Sequence, residues 1–440
     1  MGRPVSPVAV NLGDFPSIRR ILFASHHCYL DDSNGAAVAS REMMQALARR
    51  GFGVEVLSGS MLDLDEDYDP RAWVAGRFAG WEQGDDRAWT LDARGVQGET
   101  PDSLKLDVRG VPVTVHLHAT TRPHNPHQEE GREFLRLFEE VRRRFRPDVV
   151  VGYGGSRLAG EVFRRARASG IATVFMLHNL HYGDRRPFAD VDHVCVPSRF
   201  AAGYYGKALG LRCRVLPNLV DRDRVEAGEV VPRFTTFVNP SFEKGVLAFA
   251  RMAEGLGERR PEIPLLVVEA RGTERTLASC GLDLRVHGNV FLMAHTADPR
   301  RFWGKTRVCL MPSLWWENQP LVAVEAMING IPVIGSDRGG IPETLGDAGI
   351  VLPLPDRQTP STRTLPTAEE VAPWVEAIIR LWDDPGFFEE HRRRAREEAR
   401  RWDAEVLEAG YSRFFSEIRP GSSQAPSRAW DSSGLEFLLP

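Results

Sequence analysis

The sequence predicts an α/β protein made of two Rossmann-like domains. Short apolar runs alternate along the chain with helical patterns, which is typical of parallel sheets covered by helices. The length of 440 residues suits two domains of about 150–200 residues each better than a single domain. Several apolar runs end in loops that carry Gly, His, Asn or Glu, and ligands bind at the carboxyl ends of the strands in such folds.

Composition argues against several classes of protein. The net charge of −4 gives no reason to expect nucleic acid as a partner. Five cysteines, widely spaced and without a C-x-x-C pair, indicate reduced core thiols and a cytoplasmic protein. No stretch approaches ~18 consecutive apolar residues, and the N-terminus lacks a signal-peptide core, so we expect at most peripheral membrane contact.

The first domain is predicted to open with a strand at 18–25, a polar loop, a helix over about 37–49 and a second strand. The G-x-G-x-x-G fingerprint is absent from that loop, which argues against a nicotinamide-dependent enzyme. The loop ends in Asn34, Gly35 and Ala36. This step either lets the backbone approach a phosphate or sugar or is a plain turn.

Residues 60–104 are acidic, aromatic and poorly periodic, and we predict a solvated loop there. Because its alternating aspartates do not end an apolar strand, a metal site is not favoured. Residues 104–117 alternate on both sides of Arg109-Gly110, which predicts a hairpin. The alternating aspartates are Asp63, Asp65, Asp67 and Asp69.

Four histidines follow the hairpin, and their spacing matches no zinc-binding pattern, so a surface or acceptor-side cluster is favoured. An amphipathic helix over 134–141 then ends in an arginine run at 142–146. That run is interpreted as a solvated helix end, with an anionic acceptor or lipid headgroups as the alternative. The histidines are His116, His118, His124 and His127.

Further strands are predicted at 148–151 and 172–177, and the second of them delivers His178 at its carboxyl end. Residues 222–233 are expected to link the two domains. The second domain opens with another strand, followed by Lys244 in a strand-to-helix loop. Lys244 is one of few lysines in an arginine-rich chain, and its ammonium group could neutralise a phosphate.

The most informative stretch is residues 308–336. A buried strand ends at Pro312, a helix begins near Pro320, and Gly330 ends that helix. Glu317 lies in the loop, and Glu325 lies eight residues later, about 12 Å further along the helix axis at ~1.5 Å per residue. The free N–H groups at the helix start form an anion site. The alternative is an ordinary βαβ unit with two incidental glutamates.

The residues around this pair are more specific than the spacing. Glu-Asn-Gln-Pro-Leu-Val-Ala-Val-Glu-Ala-Met at 317–327, then Gly-Ile-Pro-Val-Ile at 330–334 and Gly-Gly-Ile-Pro-Glu at 339–343, resembles the E-x7-E signature of family 4 retaining glycosyltransferases. The resemblance implies the GT-B fold, in which two Rossmann-like domains face a central cleft. It also implies donor binding mainly in the second domain and acceptor binding in the first.

The resemblance assigns roles to residues of this sequence. Glu317, Lys244 and His178 match the catalytic positions, with His178 donating a hydrogen bond to the donor sugar. Where the family has Arg, this chain has Asn239, so either Asn239 binds the diphosphate more weakly or another residue such as Arg271 replaces it. The implied donor-binding residues are Asn34, Gly35, Ala36, Asn239, Met293, Asn318, Gln319, Pro320, Leu321, Val322 and Glu325.

These observations predict the following organisation. Residues 1–221 form the acceptor-side domain with a variable insert at 60–130, and 222–405 form the donor domain. A helix at 406–418 packs back on the first domain, and 419–440 are a disordered tail. The resemblance places anchoring aromatics of that last helix region at Trp402 and Tyr411.

The predicted function is transfer of a sugar from a nucleotide diphosphate sugar, as co-substrate, to an acceptor that the sequence leaves open. We expect retention of anomeric configuration and neither a metal ion nor another cofactor. One alternative is an epimerase or hydrolase of nucleotide sugars with the same fold. Another is a non-catalytic nucleotide-sugar-binding partner, which Asn239 in place of Arg keeps open.

Overall fold

A computed structural model describes residues 20–64, 66–82, 103–296 and 298–418. Within these ranges the strands form two sheets, one of eight strands and one of six. All neighbouring strands are parallel except for one hairpin. The predicted α/β class and the division into two sheets are therefore confirmed. The predicted tail at 419–440 lies outside the described residues.

The first sheet has the strand order β3-β4-β2-β1-β5-β6-β7-β8. Its strands are β1 Arg20–His27, β2 Gly53–Met61, β3 Ser103–Val108, β4 Val111–His116, β5 Val149–Gly152, β6 Ala172–Met176, β7 His193–Val196 and β8 Cys213–Val215. Its helices are α1 Gly35–Arg49, α2 Pro70–Glu82, α3 Gln128–Phe145, α4 Arg157–Ala168 and α5 Arg199–Leu209. The predicted hairpin is confirmed as the antiparallel pair β3 and β4.

The second sheet has the order β11-β10-β9-β12-β13-β14. Its strands are β9 Phe234–Val238, β10 Leu265–Val268, β11 Val290–Met293, β12 Thr306–Met311, β13 Val333–Ser336 and β14 Ile350–Leu352. The remaining helices are α6 Arg222–Val225, α7 Val246–Arg259, α8 Glu274–Ala278, α9 Arg300–Trp303, α10 Leu321–Ile328, α11 Ile341–Leu345, α12 Ala368–Asp383, α13 Pro385–Glu398 and α14 Ala404–Glu417.

One prediction about an irregular segment is wrong. The segment 60–104, expected to be a solvated loop, contains α2. Asp69 begins that helix by accepting a hydrogen bond from the Ala72 N–H (2.6 Å), and Pro70 suits the first helical position. The expected linker at 222–233 begins with the short helix α6, which Asp221 caps through the N–H of Asp223.

The final helix, α14, lies against the N-terminal domain. Glu408 pairs with Arg49 at 2.6 Å and Arg50 at 3.0 Å, both at the end of α1. Tyr411, which is 2 % exposed, donates a hydrogen bond from Oη to the carbonyl oxygen of Pro217 (2.9 Å). Phe415 joins the same hydrophobic cluster as residues of β1 and β12. This helix therefore links the cores of the two sheets.

The cysteines agree with the prediction of core thiols. All five belong to the described residues and all are free. Four are buried, and Cys213 is half-buried. Burial raises the pKa of each thiol, for example that of Cys280 to about 11, so the thiol form prevails at neutral pH.

Candidate active site

A cavity of about 690 Å³ lies between the two domains. It is bounded by the carboxyl ends of β1 and β6 on one side and of β9, β10 and β12 on the other. This is the edge at which open parallel sheets bind ligands. Every site residue predicted from the sequence lines this cavity except Met293. Met293 ends β11, and the nearby His295 and Thr296 line the cavity instead.

Lys244 and Glu317 meet at the cavity wall. The Lys244 Nζ contacts Glu317 Oε1, which also accepts a hydrogen bond from Ser313 Oγ (2.9 Å). Gly245 adopts φ 83°, and a Cβ there would overlap the carbonyl oxygen of Pro312. The Lys-Gly pair is therefore what allows the ammonium group to come this close to the loop after β12.

The start of α10 faces the cavity without a cap. Its N-cap residue is Pro320, and no side chain among the described residues caps the helix. The N–H groups of Leu321 and Val322 thus belong to the unsatisfied first turn, where the helix dipole favours an anion. The preceding loop is held by Gly340, whose N–H donates to the carbonyl oxygen of Glu317 (2.6 Å).

The side chains of Asn318 and Gln319 point to the N-terminal domain. Gln319 Oε1 accepts from the N–H of Asn218 (2.7 Å), and its Nε2 donates to the Asn218 carbonyl (3.3 Å). Asn318 Nδ2 donates to the carbonyl oxygen of Leu177 (3.4 Å). Both residues line the cavity, yet these amides bind protein backbone, so they join the domains across the cleft.

Glu325 lies deeper in the cavity wall. Trp303 Nε1 donates a hydrogen bond to Glu325 Oε2 (3.0 Å). Burial raises the pKa of this carboxyl group, against the opposing effect of the Trp303 hydrogen bond and the nearby Arg224. A bound diol would supply the further hydrogen bonds that a buried carboxylate needs.

His178 is half-buried and lines the cavity from the N-terminal side. Burial lowers its pKa to about 4, so the imidazole is neutral at physiological pH. Its Nε2 has no hydrogen-bond partner among the described residues. A neutral ring with a free nitrogen is suited to a hydrogen bond with a sugar and not to holding a positive charge.

The residues at 34–36 both begin α1 and line the cavity. Asn34 Oδ1 accepts from the N–H groups of Ala36 (2.8 Å) and Ala37 (3.2 Å) and so begins α1. Gly35 lies beside open space, because a Cβ there would meet no atom within 4 Å. The backbone at Gly35 is therefore the part that a ligand can approach.

The side chain of Asn239 binds the protein backbone. It adopts φ 64°, and its Oδ1 accepts a hydrogen bond from the N–H of Gly272 (2.9 Å). That bond holds the loop that carries Arg271, which lines the cavity. Arg271 Nη1 lies 3.6 Å from Asp63 Oδ2 of the other domain. The loop bonded to Asn239 thus brings a guanidinium group to the cavity.

The sequence interpretation missed a charged cluster in the wall of the cavity. Arg224 of α6 reaches Asp32 (Nη2–Oδ1 3.1 Å) and lies 4.0 Å from Glu42, and all three line the cavity. Asp32 also contacts the buried Arg41. Arginine is frequent in this chain and Arg224 falls in the expected linker, so no local pattern marked it.

The three alternating aspartates that belong to the described residues have separate partners. Asp67 accepts from the N–H of Thr121 (2.9 Å), Asp69 caps α2, and Asp63 faces Arg271. Asp65 lies outside the described residues. In the described part of the chain, no helix is both long enough and apolar enough to cross a bilayer.

Two family models match the chain. One, described as a glycosyl transferase 4-like domain, matches residues 34–218, and the other, described as glycosyl transferases group 1, matches residues 232–384. The two matches fall on the two sheets and meet at the cavity. No protein of curated function matches the chain by sequence.

Solved structures with the same arrangement include sucrose-phosphate synthase from Thermosynechococcus elongatus, with 17 % identity, 90 % of this chain and 98 % of that chain covered, and a TM-score of 0.65. Anabaena HepE with UDP and glucose has 15 % identity, coverage of 91 % and 100 %, and a TM-score of 0.62. The pneumococcal O-GlcNAc transferase GtfA with UDP and GlcNAc has 12 % identity, coverage of 91 % and 99 %, and a TM-score of 0.63. These likenesses confirm the predicted GT-B fold.

Proposed function

Because the chain is a glycosyltransferase of the GT-B type, we propose that it transfers a sugar from a nucleotide diphosphate sugar to an acceptor hydroxyl, with retention and without a metal ion. One observation carries the proposal. The Lys244 ammonium, the Glu317 carboxylate and the uncapped start of α10 meet at one end of the cleft cavity. These groups suit a leaving diphosphate and the sugar attached to it.

Lys244 and the first turn of α10 stabilise the leaving group. When the bond between the anomeric carbon and the phosphate oxygen breaks, its electrons move to the diphosphate. An ammonium group and free helix N–H groups stabilise that growing negative charge in place of a divalent cation. Arg271, positioned through Asn239, supplies a second positive charge on the same side.

Glu317 and Glu325 orient the donor. Glu317 accepts hydrogen bonds from the sugar hydroxyls after exchanging part of its contact with Lys244 for the ligand. Glu325 accepts both ribose hydroxyls, because one carboxylate can accept two donors. His178, with its neutral ring and free Nε2, binds the sugar from the N-terminal side.

The acceptor hydroxyl attacks from the face that the diphosphate leaves, and the leaving phosphate oxygen takes its proton. This path retains the anomeric configuration and needs no pair of carboxylates at glycosidase spacing. The N-terminal wall of the cavity, with His27, Tyr153 and His181, faces the acceptor. Neighbouring structures that hold UDP with glucose or GlcNAc support a nucleotide diphosphate donor and make UDP the first candidate.

The first test measures thermal unfolding with UDP, GDP, dTDP and ADP, each with and without EDTA. A nucleotide at about 100 times its dissociation constant adds ~2.7 kcal/mol to the free energy of unfolding, which is a readily measured shift. We expect one nucleotide to produce this shift, and we expect the shift to be the same in EDTA. No shift from any nucleotide would contradict donor binding.

The second test uses the variant Lys244→Ala with the sugar nucleotide chosen by the first. Loss of one charge-stabilising group lowers kcat by about 10²–10³-fold. Lys207→Ala is the matched control, because Lys207 is exposed on α5. Full activity of Lys244→Ala would overturn its role, and turnover without any acceptor would instead indicate a hydrolase or epimerase.

A further inference from the structure

A cluster of metal-binding groups lies on the N-terminal domain, outside the residues that line the cleft cavity. After β4 the chain runs through a loop at 117–127 and returns in α3. This path brings together the side chains of His118, His124 and Glu130. One ring nitrogen from each histidine and a carboxylate oxygen of Glu130 all lie within 4.8 Å of one another. The linear spacing of these residues matches no zinc motif, so only the fold reveals the group.

Two of the separations within this group are close to those around a tetrahedral ion. His118 Nδ1 lies 3.3 Å from Glu130 Oε1, and His124 Nε2 lies 2.9 Å from Glu130 Oε2. Zinc binds His nitrogen and carboxylate oxygen at about 2.0–2.2 Å, so two ligands of a tetrahedral site are roughly 3.3–3.5 Å apart. Small movements of the Glu130 carboxylate would bring both separations to these values.

One ring nitrogen of the buried His118 lacks a hydrogen bond among the described residues. This residue is 5 % exposed, and its Nδ1 has no hydrogen-bond partner among the described residues although the Glu130 carboxylate is adjacent. Buried polar nitrogens are nearly always satisfied by a hydrogen bond, a water molecule or an ion. The free nitrogen beside a carboxylate is the second observation that points to a bound cation.

The loop that carries these histidines supports the wall of the cleft. The carbonyl oxygen of Thr121 accepts from the N–H of Leu62 (2.7 Å), and Asp67 Oδ1 accepts from the N–H of Thr121 (2.9 Å). The same segment contains Asp63, which lines the cavity. Fixing the 117–127 loop would therefore also hold in place the segment that carries Asp63, on the acceptor side of the cavity.

We propose that His118 Nδ1, His124 Nε2 and the Glu130 carboxylate bind one Zn²⁺ ion that fastens the 117–127 loop to α3. Two imidazole nitrogens and one carboxylate oxygen suit zinc better than magnesium or calcium, which prefer oxygen ligands. Water completes the fourth position. The ion is separate from the donor site, so this proposal stands independently of the donor chemistry.

Glu130 also has a structural role, which the test must separate from metal binding. Its Oε2 accepts a hydrogen bond from the N–H of His127 (3.1 Å) as part of the capping box of α3. Glutamine serves equally at this position of a capping box. Glu130→Gln therefore keeps the cap and removes the anionic ligand, together with the ion pair to His124 (2.9 Å), so the direct measurement of bound zinc decides its effect.

The experiment measures zinc in the full chain after EDTA treatment, addition of ZnCl₂ and desalting, by elemental analysis and by competition with a chromophoric chelator. We expect one Zn²⁺ per chain and a rise in the unfolding temperature when Zn²⁺ is added. Glu130→Gln and His124→Ala should bind zinc more than about tenfold more weakly, since losing even a partner outside the coordination sphere costs roughly 10–100-fold. Both variants should lose the temperature shift.

His127→Ala is the matched control. Its ring centroid lies 6.0 Å from that of His124 on the same loop, but it does not belong to the ligand group. It should bind zinc as the wild type does. Failure of the wild type to retain stoichiometric zinc would overturn the proposal, and so would equal loss of zinc in His127→Ala and Glu130→Gln.

Discussion

Asn239 shows how a single side chain can act on a ligand through its neighbour. Its carboxamide oxygen accepts the Gly272 N–H at 2.9 Å, and a Cβ at Gly272 would overlap the backbone of Pro240. The two loops thus pack backbone against backbone. This packing fixes the loop that carries Arg271, and Arg271 lines the cavity.

Replacing Arg271 by Ala should weaken donor binding and turnover. A hydrogen bond to a charged group contributes about 1.5–3 kcal/mol, so we expect kcat/KM for the donor to fall roughly 10- to 150-fold. Asn239→Ala should produce a smaller fall of the same kind, because the guanidinium remains and only its loop is released. Steady-state kinetics at varied donor concentration would measure both effects.

Arg285→Ala is the control for the Arg271 and Asn239 variants. Arg285 is highly exposed, and its side chain pairs with Glu274 at the surface. If Asn239→Ala were impaired while Arg271→Ala remained fully active, Asn239 would act on the donor directly. That result would restore the simpler interpretation, in which Asn239 takes the place of the family's Arg.

The positions of the site residues could be predicted because their signals are local. Glu317 and Glu325 belong to one continuous motif, and Lys244 follows a recognisable strand. Their partners could not be predicted. The Trp303 hydrogen bond to Glu325 and the Asn218 contact with Gln319 join residues that are 22 and 101 positions apart. Such contacts depend on how the elements pack, which no short pattern contains.

At the level of elements, strands were easier to predict than helices in polar segments. Runs such as β5 and β10 are buried throughout and read as continuous apolar stretches. The helix α2 was missed because its sequence lacks a clear apolar stripe, although Asp69-Pro70 is a recognisable start. The helix predicted at 406–418 agrees closely with α14, where aromatic residues recur at helical spacing.

Tyr411→Phe tests how firmly α14 is attached. The Tyr411 ring is buried and its Oη bond to the Pro217 carbonyl is partly buried, and losing that bond leaves the carbonyl without a partner among the described residues. We expect the free energy of unfolding to fall by about 1–3 kcal/mol in urea denaturation. Tyr68→Phe is the control, since the Tyr68 hydroxyl bonds Glu66 at an exposed site and its loss should cost little. Equal effects of the two changes would contradict this attachment.

At the level of the whole molecule, the two domains touch through polar contacts around the cavity. Gln319 binds the backbone at Asn218, Asn318 binds Leu177, and Arg271 approaches Asp63. Polar contacts of this kind favour opening of the cleft around the cavity, whereas the apolar cluster that includes Phe415 keeps the two sheets joined through α14. Movement about the linker would open the cleft to donor and product.

We expect the contact between Glu343 and the start of α5 to control this opening. Its carboxylate, on α11 of the second domain, accepts hydrogen bonds from the N–H groups of Arg199 (2.9 Å) and Phe200 (2.8 Å). These N–H groups begin α5 of the first domain, and Ser198 accepts the next N–H from Ala201 (3.1 Å). The negative charge lies at the positive end of the α5 dipole, which strengthens the contact. Opening the cleft would expose this helix start.

Glu343→Ala should therefore shift the protein toward the open form. Loss of charged hydrogen bonds of about 1.5–3 kcal/mol lowers the ratio of closed to open molecules by roughly 10- to 150-fold. The radius of gyration from small-angle X-ray scattering should increase, and donor KM should rise because fewer molecules are competent to bind.

Glu343→Gln keeps one acceptor and should lie between the wild type and Glu343→Ala. Glu389→Ala, which removes a surface pair within α13, is the control and should change neither quantity. If Glu343→Ala changed neither the radius nor KM while α5 lost stability, Glu343 would only cap that helix, and other contacts would hold the domains together.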